Sequence, residues 1–282
     1  MFLVAVIYLL LAIAFLAVFV FQVPLQFRPF VAFGARYLGS ILRGMPFVAA
    51  AAVVSPLFKM YLATHPDRAP AMPNRLMLGV LHPVSIVAVL LMFSARPAPA
   101  YGALVFAPIA AVLTALAIRI VGLQGHPRLL TDAGQTATSS ADSENTPPAP
   151  TPLSHLVLEE SFEGLRALAI AGLFAAALHN FLPVQISTYL YRNPVPASLV
   201  LAAFWLLFPV PRGVHAAIAP LFVGRFPAVA VSVYLGLGLV LHGRELRDLY
   251  DSYGRVYTVV VVVLLVFVML LLSIPAAGLV SL

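Results

Sequence analysis

The sequence predicts an all-α fold: a polytopic helical membrane protein of seven or eight spans, built as two repeat halves joined by a disordered linker. Three observations predict it. Hydrophobic residues make up 62% of the 282 positions and charged ones 9%, with a mean hydropathy of +1.03, well outside the range of a soluble globular domain. The apolar stretches are long and uncharged, as helices in hydrocarbon require, whereas a membrane barrel would show short alternating segments. Finally, the proline punctuation of the first half returns in the second.

A span takes about 20 mostly apolar residues. On that ruler the N-terminal half, residues 1–123, holds spans near 2–24, 44–63, 76–94 and 101–123. The first of these, "MFLVAVIYLLLAIAFLAVFVFQ", has no charged region ahead of it and no small-residue cleavage site after it, so it reads as a retained helix rather than a signal peptide. Residues 124–157 form the linker. Their centre, "TDAGQTATSSADSENTPPAPTP" at 131–152, is polar and proline-rich with nothing to bury.

The C-terminal half, 158–282, opens on "LEESFEGLR", where Glu159, Glu160 and Glu163 suit the positive end of an interfacial helix start. Its spans fall near 166–183, 195–211, 226–243 and 256–281. "GVHAAIAPLFVG" at 213–224 is too short to cross and reads as a half-helix or re-entrant piece, on which the span count depends. "LGLGLV" at 235–240 carries a glycine pair for close helix packing. The charged "LHGRELRDLYDSYGR" at 241–255 reads as a solvated interfacial turn in which Glu245 is placed to latch a neighbouring helix.

Three proline-marked segments recur. "YLATHP" (61–66) returns as "YLYRNP" (189–194), "VLHP" (80–83) as "LLFP" (206–209), and "ARPAPAYGALVFAP" (95–108) as "GRFPAVAVSVYLG" (224–236). The offsets are 194 − 66 = 128, 209 − 83 = 126 and 227 − 97 = 130. Their near equality points to a duplication. Orientation is not fixed, because Arg28, Arg36 and Arg43 load one connection while Lys59, Arg68 and Arg75 load the next.

Composition also excludes functions. The formal charge of +6, sixteen Lys and Arg against ten Asp and Glu, would suggest nucleic acid in a soluble protein. Here such arginines serve orientation and contact with anionic headgroups, so the expected partner is the lipid bilayer and not nucleic acid. With no cysteine there is no disulfide, thiolate metal site or cysteine nucleophile. Seven dispersed histidines form no i, i+4 pair and no HExxH, so no metal is expected. Phosphate-binding glycine loops and protease motifs are missing too, so the chain reads as no enzyme, with no catalytic residue and no cofactor. All ten acidic residues fall in loops, the linker or span ends, which leaves no mid-span carboxylate for a proton relay or a sodium ion.

The polar candidates gather at two breaks. In "VLHPVS" (80–85) and "FPVPRGVH" (208–215), Pro83, Pro209 and Pro211 each remove a backbone donor and free carbonyls upstream. Short, proline-interrupted segments at matching places in two halves are how a transporter site near the bilayer midplane announces itself. The plainer reading is a structural kink, which membrane helices tolerate. His82 and His215 flank the breaks. Arg212 offers a planar fork for an anionic group, or else snorkels to the headgroups. His179 and Asn180, in "AAALHNFLP", either bond the next helix across a packed interface or contact substrate.

The run from Gly172 to Tyr250 resembles the C-terminal half of the YraQ-like predicted permeases, the group that also contains organoarsenical efflux permeases. It shares with them a small-residue helix ending in a polar pair and "FLP", a "YL..NP" turn, a proline-broken helix followed by a half-helix, a G-x-P turn and a closing span with an acidic residue like Glu245. The resemblance implies a two-half helical permease whose pathway lies at the broken helices, lined by Pro209, Arg212 and His215 with His82 and Pro83 opposite. Where the family carries a cysteine-bearing segment this chain has "PVPRGVH", so a soft metalloid substrate is not carried over. The expected function is a multi-pass permease of the cytoplasmic (inner) membrane moving a small solute, an anionic one if Arg212 faces it. The alternative is a non-transporting scaffold or accessory subunit derived from a permease; an intramembrane enzyme ranks last. A homo-oligomer and a membrane-protein partner are both compatible with the chain.

Overall fold

A computed structural model describes residues 28–64, 76, 79–120, 153–211 and 213–280, and these are helical with no strand among them. In chain order they form α1 (Arg28–Thr64), α2 (Pro83–Met92), α3 (Ala98–Ile120), α4 (Leu153–Phe181), α5 (Val184–Arg192), α6 (Pro194–Leu207), α7 (Val214–Ile218) running on as a 3-10 turn at Ala219–Leu221, α8 (Ala228–Val240), α9 (Gly243–Tyr253) and α10 (Arg255–Val280). The expected span at 2–24 and most of the expected linker lie outside the described residues. α4 begins at Leu153, five residues ahead of the expected start of the second half at 158.

Among the described residues four helices are long and apolar enough to cross a membrane: Arg28–Val54 within α1, α3, α4, and Arg255–Ala276 within α10. A fifth is added if α8 and the bent continuation into α9 count as one. The described chain therefore has the length and composition of a multi-pass membrane protein. The expected spans at 76–94 and 195–211 are shorter than drawn: α2 has 10 residues and α6 has 14. Proline explains both limits. Pro83 and Pro194 sit at the first helical position after an extended residue, where the missing N–H costs nothing. The same residue thus starts a helix cleanly that it would have interrupted. The segment at 241–255 forms the helix α9 rather than a turn, and Glu245 caps it: the Glu245 carboxylate accepts from the His242 backbone N–H at 3.3 Å and meets the His242 ring at 2.7 Å.

α1 is longer than the expected 44–63. Its 37 residues reach about 55 Å at 1.5 Å per residue. The stretch that reads as a loop instead continues the helix and includes small residues on the face on which α4 lies. A Cβ on Gly44 would stand 2.5 Å from Leu168, one on Gly172 would stand 2.8 Å from the Ser40 hydroxyl, and one on Gly164 would stand 2.8 Å from Val48. As numbers rise along α1 they fall along α4, so the two run antiparallel, and small residues allow their close approach.

α8 is the hub. Every residue from Val229 to Val240 is buried, beneath α3, α6 and α10 and against the short α7. A helix apolar on all sides can be satisfied only in such a place. α7 is likewise buried over its whole length, inserted among α1, α2, α4 and α8.

Candidate functional site

Both proline breaks deliver a short helix into the same region. α2 follows the extended His82, whose carbonyl accepts from the Ser85 and Ile86 N–H groups at 3.1 and 3.2 Å. α7 follows Gly213, whose φ of +78° is a left-handed conformation that glycine adopts freely. A Cβ there would also stand 3.4–3.6 Å from Phe47, Val84 and Ala88. The α2 and α1 side chains therefore close directly over the second break.

At the first break the Gly79 carbonyl, upstream of Pro83, accepts from the His82 N–H at 3.3 Å, and carbonyls within the second break are taken up as well. The Val210 carbonyl accepts from the Gly243 N–H at 3.4 Å, the Pro211 carbonyl from Val214 at 3.2 Å, and the Gly213 carbonyl from Ala216 at 3.1 Å. Protein donors absorb these groups. What stays unsatisfied is side-chain chemistry. His215 is 3% exposed and neither ring nitrogen has a hydrogen-bond partner; the Ser85 hydroxyl at 2% and the Tyr234 hydroxyl at 0% have none either. An orphaned buried polar group costs about 1–3 kcal/mol, and native structures hold few of them. Three such groups come from three elements that the fold brings together.

Ser85 and Val89 of α2, Gly213, His215 and Ala216 at α7, and Leu235, Gly238 and Leu239 of α8 line one small cavity. Its space for a water centre is about 10 Å³, close to the room one water needs. The His215 ring lies edge-on to Tyr234, with centroids 5.5 Å apart, and Tyr234 in turn packs against Phe204 and Phe222 at 6.0 and 5.2 Å. Gly238 makes the fit feasible. A Cβ at that position would stand 2.5–2.9 Å from His215 ring and Cβ atoms, so the glycine pair of "LGLGLV" gives its second member to the site and its first, Gly236, to Met269 of α10.

The other expected site residues lie elsewhere. His82 is half-buried at the start of α2 and does not line the cavity. Pro83 is exposed at the α2 start, Pro209 is exposed and packs on Gly243, and Pro211 is half-buried near Gly164. Arg212 lies outside the described residues. His179 and Asn180 occupy the far end of α4. There His179 Nδ1 bonds the Leu221 carbonyl at 2.5 Å, while Asn180 accepts from Arg36 and donates to the Ala176 carbonyl at 2.7 Å. The first two tie α4 to the 3-10 turn and to α1, and the third lies within α4. Ser85 and Tyr234 are the functional candidates that sequence reasoning missed. Ser85 was within reach, because it stands inside the quoted "VLHPVS", whereas nothing marks Tyr234 among its apolar neighbours.

No group of three or more metal-ligating side chains occurs among the described residues. No family profile, curated protein or solved structure matches the chain.

Proposed function

We propose that the chain is a permease of the cytoplasmic membrane that passes a small solute between the two broken helices, with His215, Ser85 and Tyr234 as its polar contacts at depth. The observation that carries this reading is a cavity where the half-helices α2 and α7 meet, lined by the buried, unbonded Ser85 and His215, with the equally unbonded Tyr234 packed on the His215 ring. Ionisable and polar groups inside a membrane protein are expensive and face a cavity, a partner or a pathway.

The two-repeat architecture of seven or eight spans, and with it the likeness to YraQ-like permeases, belongs to the same proposal. Its support is local. Pro83 opens the short α2 and Pro209 stands shortly before the short α7, both from the matched segments, while Pro97 and Pro227 each stand directly before a helix, α3 and α8. The turns leading there are alike: the Arg96 N–H bonds the Phe93 carbonyl at 3.0 Å, and the Arg225 N–H bonds the Phe222 carbonyl at 3.1 Å. α3 and α8 then pack together. Gly102 gives room to Ser232, 232 − 102 = 130 positions on, and the Ser232 hydroxyl reaches the Pro99 carbonyl at 3.0 Å. Pro66, in the remaining matched pair, lies outside the described residues.

The cavity's small size favours one competitor, a scaffold in which this seam stays closed. Cysteine accessibility separates the two, since the chain has no cysteine of its own. Single Ser85→Cys and His215→Cys variants are treated with a membrane-impermeant thiol reagent from each side. A permease exposes both positions during its cycle and labels them; two folded variants that never label leave the scaffold.

A further inference from the structure

Charge is sorted to the two ends of the bundle. All six described carboxylates, Glu159, Glu160, Glu163, Glu245, Asp248 and Asp251, lie in the first three turns of α4 or on α9, and Arg247 ties α9 to Glu163 at 3.5 Å. From Glu163 to His179 α4 rises about 24 Å. At that far end Arg36 of α1 bonds Asn180, His179 is held on Leu221, and Arg225 projects from the turn four residues after Leu221. Among the described residues neither arginine forms an ion pair with a carboxylate.

Arg36 is bonded to the residue after His179 and Arg225 lies in the turn that holds the His179 ring, and among the described residues no carboxylate is paired with either cation. Among the described residues Arg36 spends one fork donor on Asn180 and Arg225 bonds through its backbone alone, which leaves donors of both guanidinium groups for an oxyanion. Beside them the half-exposed rings of Phe30 and Phe181 lie 5.7 Å apart, an apolar flank at the end of the helices.

We propose that Arg36 and Arg225, arranged about His179, bind a phosphate group at this end of the bundle. The ligand is either the headgroup of an anionic phospholipid or a free phosphate anion. The site is separate from the His215 cavity and stands whether or not that cavity conducts.

The test is calorimetric titration of the purified full-length protein in detergent with dioctanoyl phosphatidylglycerol and, separately, with inorganic phosphate. Binding of the lipid alone assigns a headgroup site, and binding of inorganic phosphate assigns a free-anion site. Loss of a charge-assisted contact at each arginine weakens binding on the order of tenfold or more in Arg36→Gln/Arg225→Gln, while Arg255→Gln, at the opposite end, keeps wild-type affinity. Should the double variant fail to fold because the Asn180 bond is gone, Arg225→Gln alone serves, as its side chain has no bond among the described residues. Binding of neither probe, or equal binding in the folded arginine variant, overturns the proposal. Thiol labelling at positions 85 and 215 reads the pathway independently, so failure of one leaves the other standing.

Discussion

His179 and His215 are the same residue in two settings, and the contrast between them separates architecture from function. At the end of α4, His179 is half-buried and its ring nitrogen is bound to a backbone carbonyl at 2.5 Å, beside an asparagine that is itself bonded on both sides. In α7, His215 is almost wholly buried and neither nitrogen is bound, with Ser85 and Tyr234 equally orphaned nearby. The first histidine stabilises the fold by the bond it makes. The second costs stability in the state seen here, and a group retained at a cost in a dry place is the better candidate for work done in another state.

The largest expected effect attacks the fit that makes the second setting possible. Gly238→Ala places a methyl within 2.5–2.9 Å of His215 atoms, and both residues are buried, so the ring or α8 must shift. Overpacking of this kind costs about 1–3 kcal/mol, and a loss at the upper end is expected in denaturant or thermal unfolding. An unchanged midpoint would mean that α7 yields easily and that the cavity is not a fixed feature.

Next come the two histidines themselves, and here the comparison predicts opposite signs. His179→Leu strands the Leu221 carbonyl and lowers stability by about 1–3 kcal/mol. His215→Leu removes two unsatisfied nitrogens and fills a similar volume, so stability stays level or rises by about 1 kcal/mol. The same variant loses solute movement on the permease reading. Equal destabilisation by both substitutions, measured side by side, would erase the distinction drawn here.

Much of this was legible in the chain before any coordinates. Helical class followed from uninterrupted apolar runs, the half-helix at 213–224 from its length, and the break positions from Pro83, Pro209 and Pro211. Two kinds of information were not local. Arg36, Gly39, Arg43 and Gly44 look like a connection in sequence, because a charge every seven residues lowers hydropathy, yet Gly44 packs against Leu168 of α4 and Arg36 bonds Asn180 near its end. Orphan status is likewise invisible: "HN" at 179–180 and "VH" at 214–215 have similar composition, and only the placement of the Leu221 carbonyl and of Arg36 shows that one pair is bonded and the other histidine is not. His82 illustrates the same limit, since its matched position beside a break did not bring it to the cavity.

The smallest expected effect belongs to a polar pair that is neither bonded in a core nor orphaned. Arg247 and Glu163 join α9 to α4 at 3.5 Å with side chains 72% and 57% exposed. Exposed ion pairs of this length contribute about 0–1 kcal/mol, because water screens them and two long side chains must be held still. Glu163→Gln should therefore leave the unfolding midpoint within the scatter of the wild type, and what small loss there is should vanish in 1 M salt, where the screening length falls to about 3 Å. A clear loss that survives high salt would show that α9 is clamped to α4 by more than charge. The sorting of polar groups into structural, functional and peripheral would then have to be redrawn at this end of the bundle, with the α9–α4 junction counted among the contacts that hold the fold.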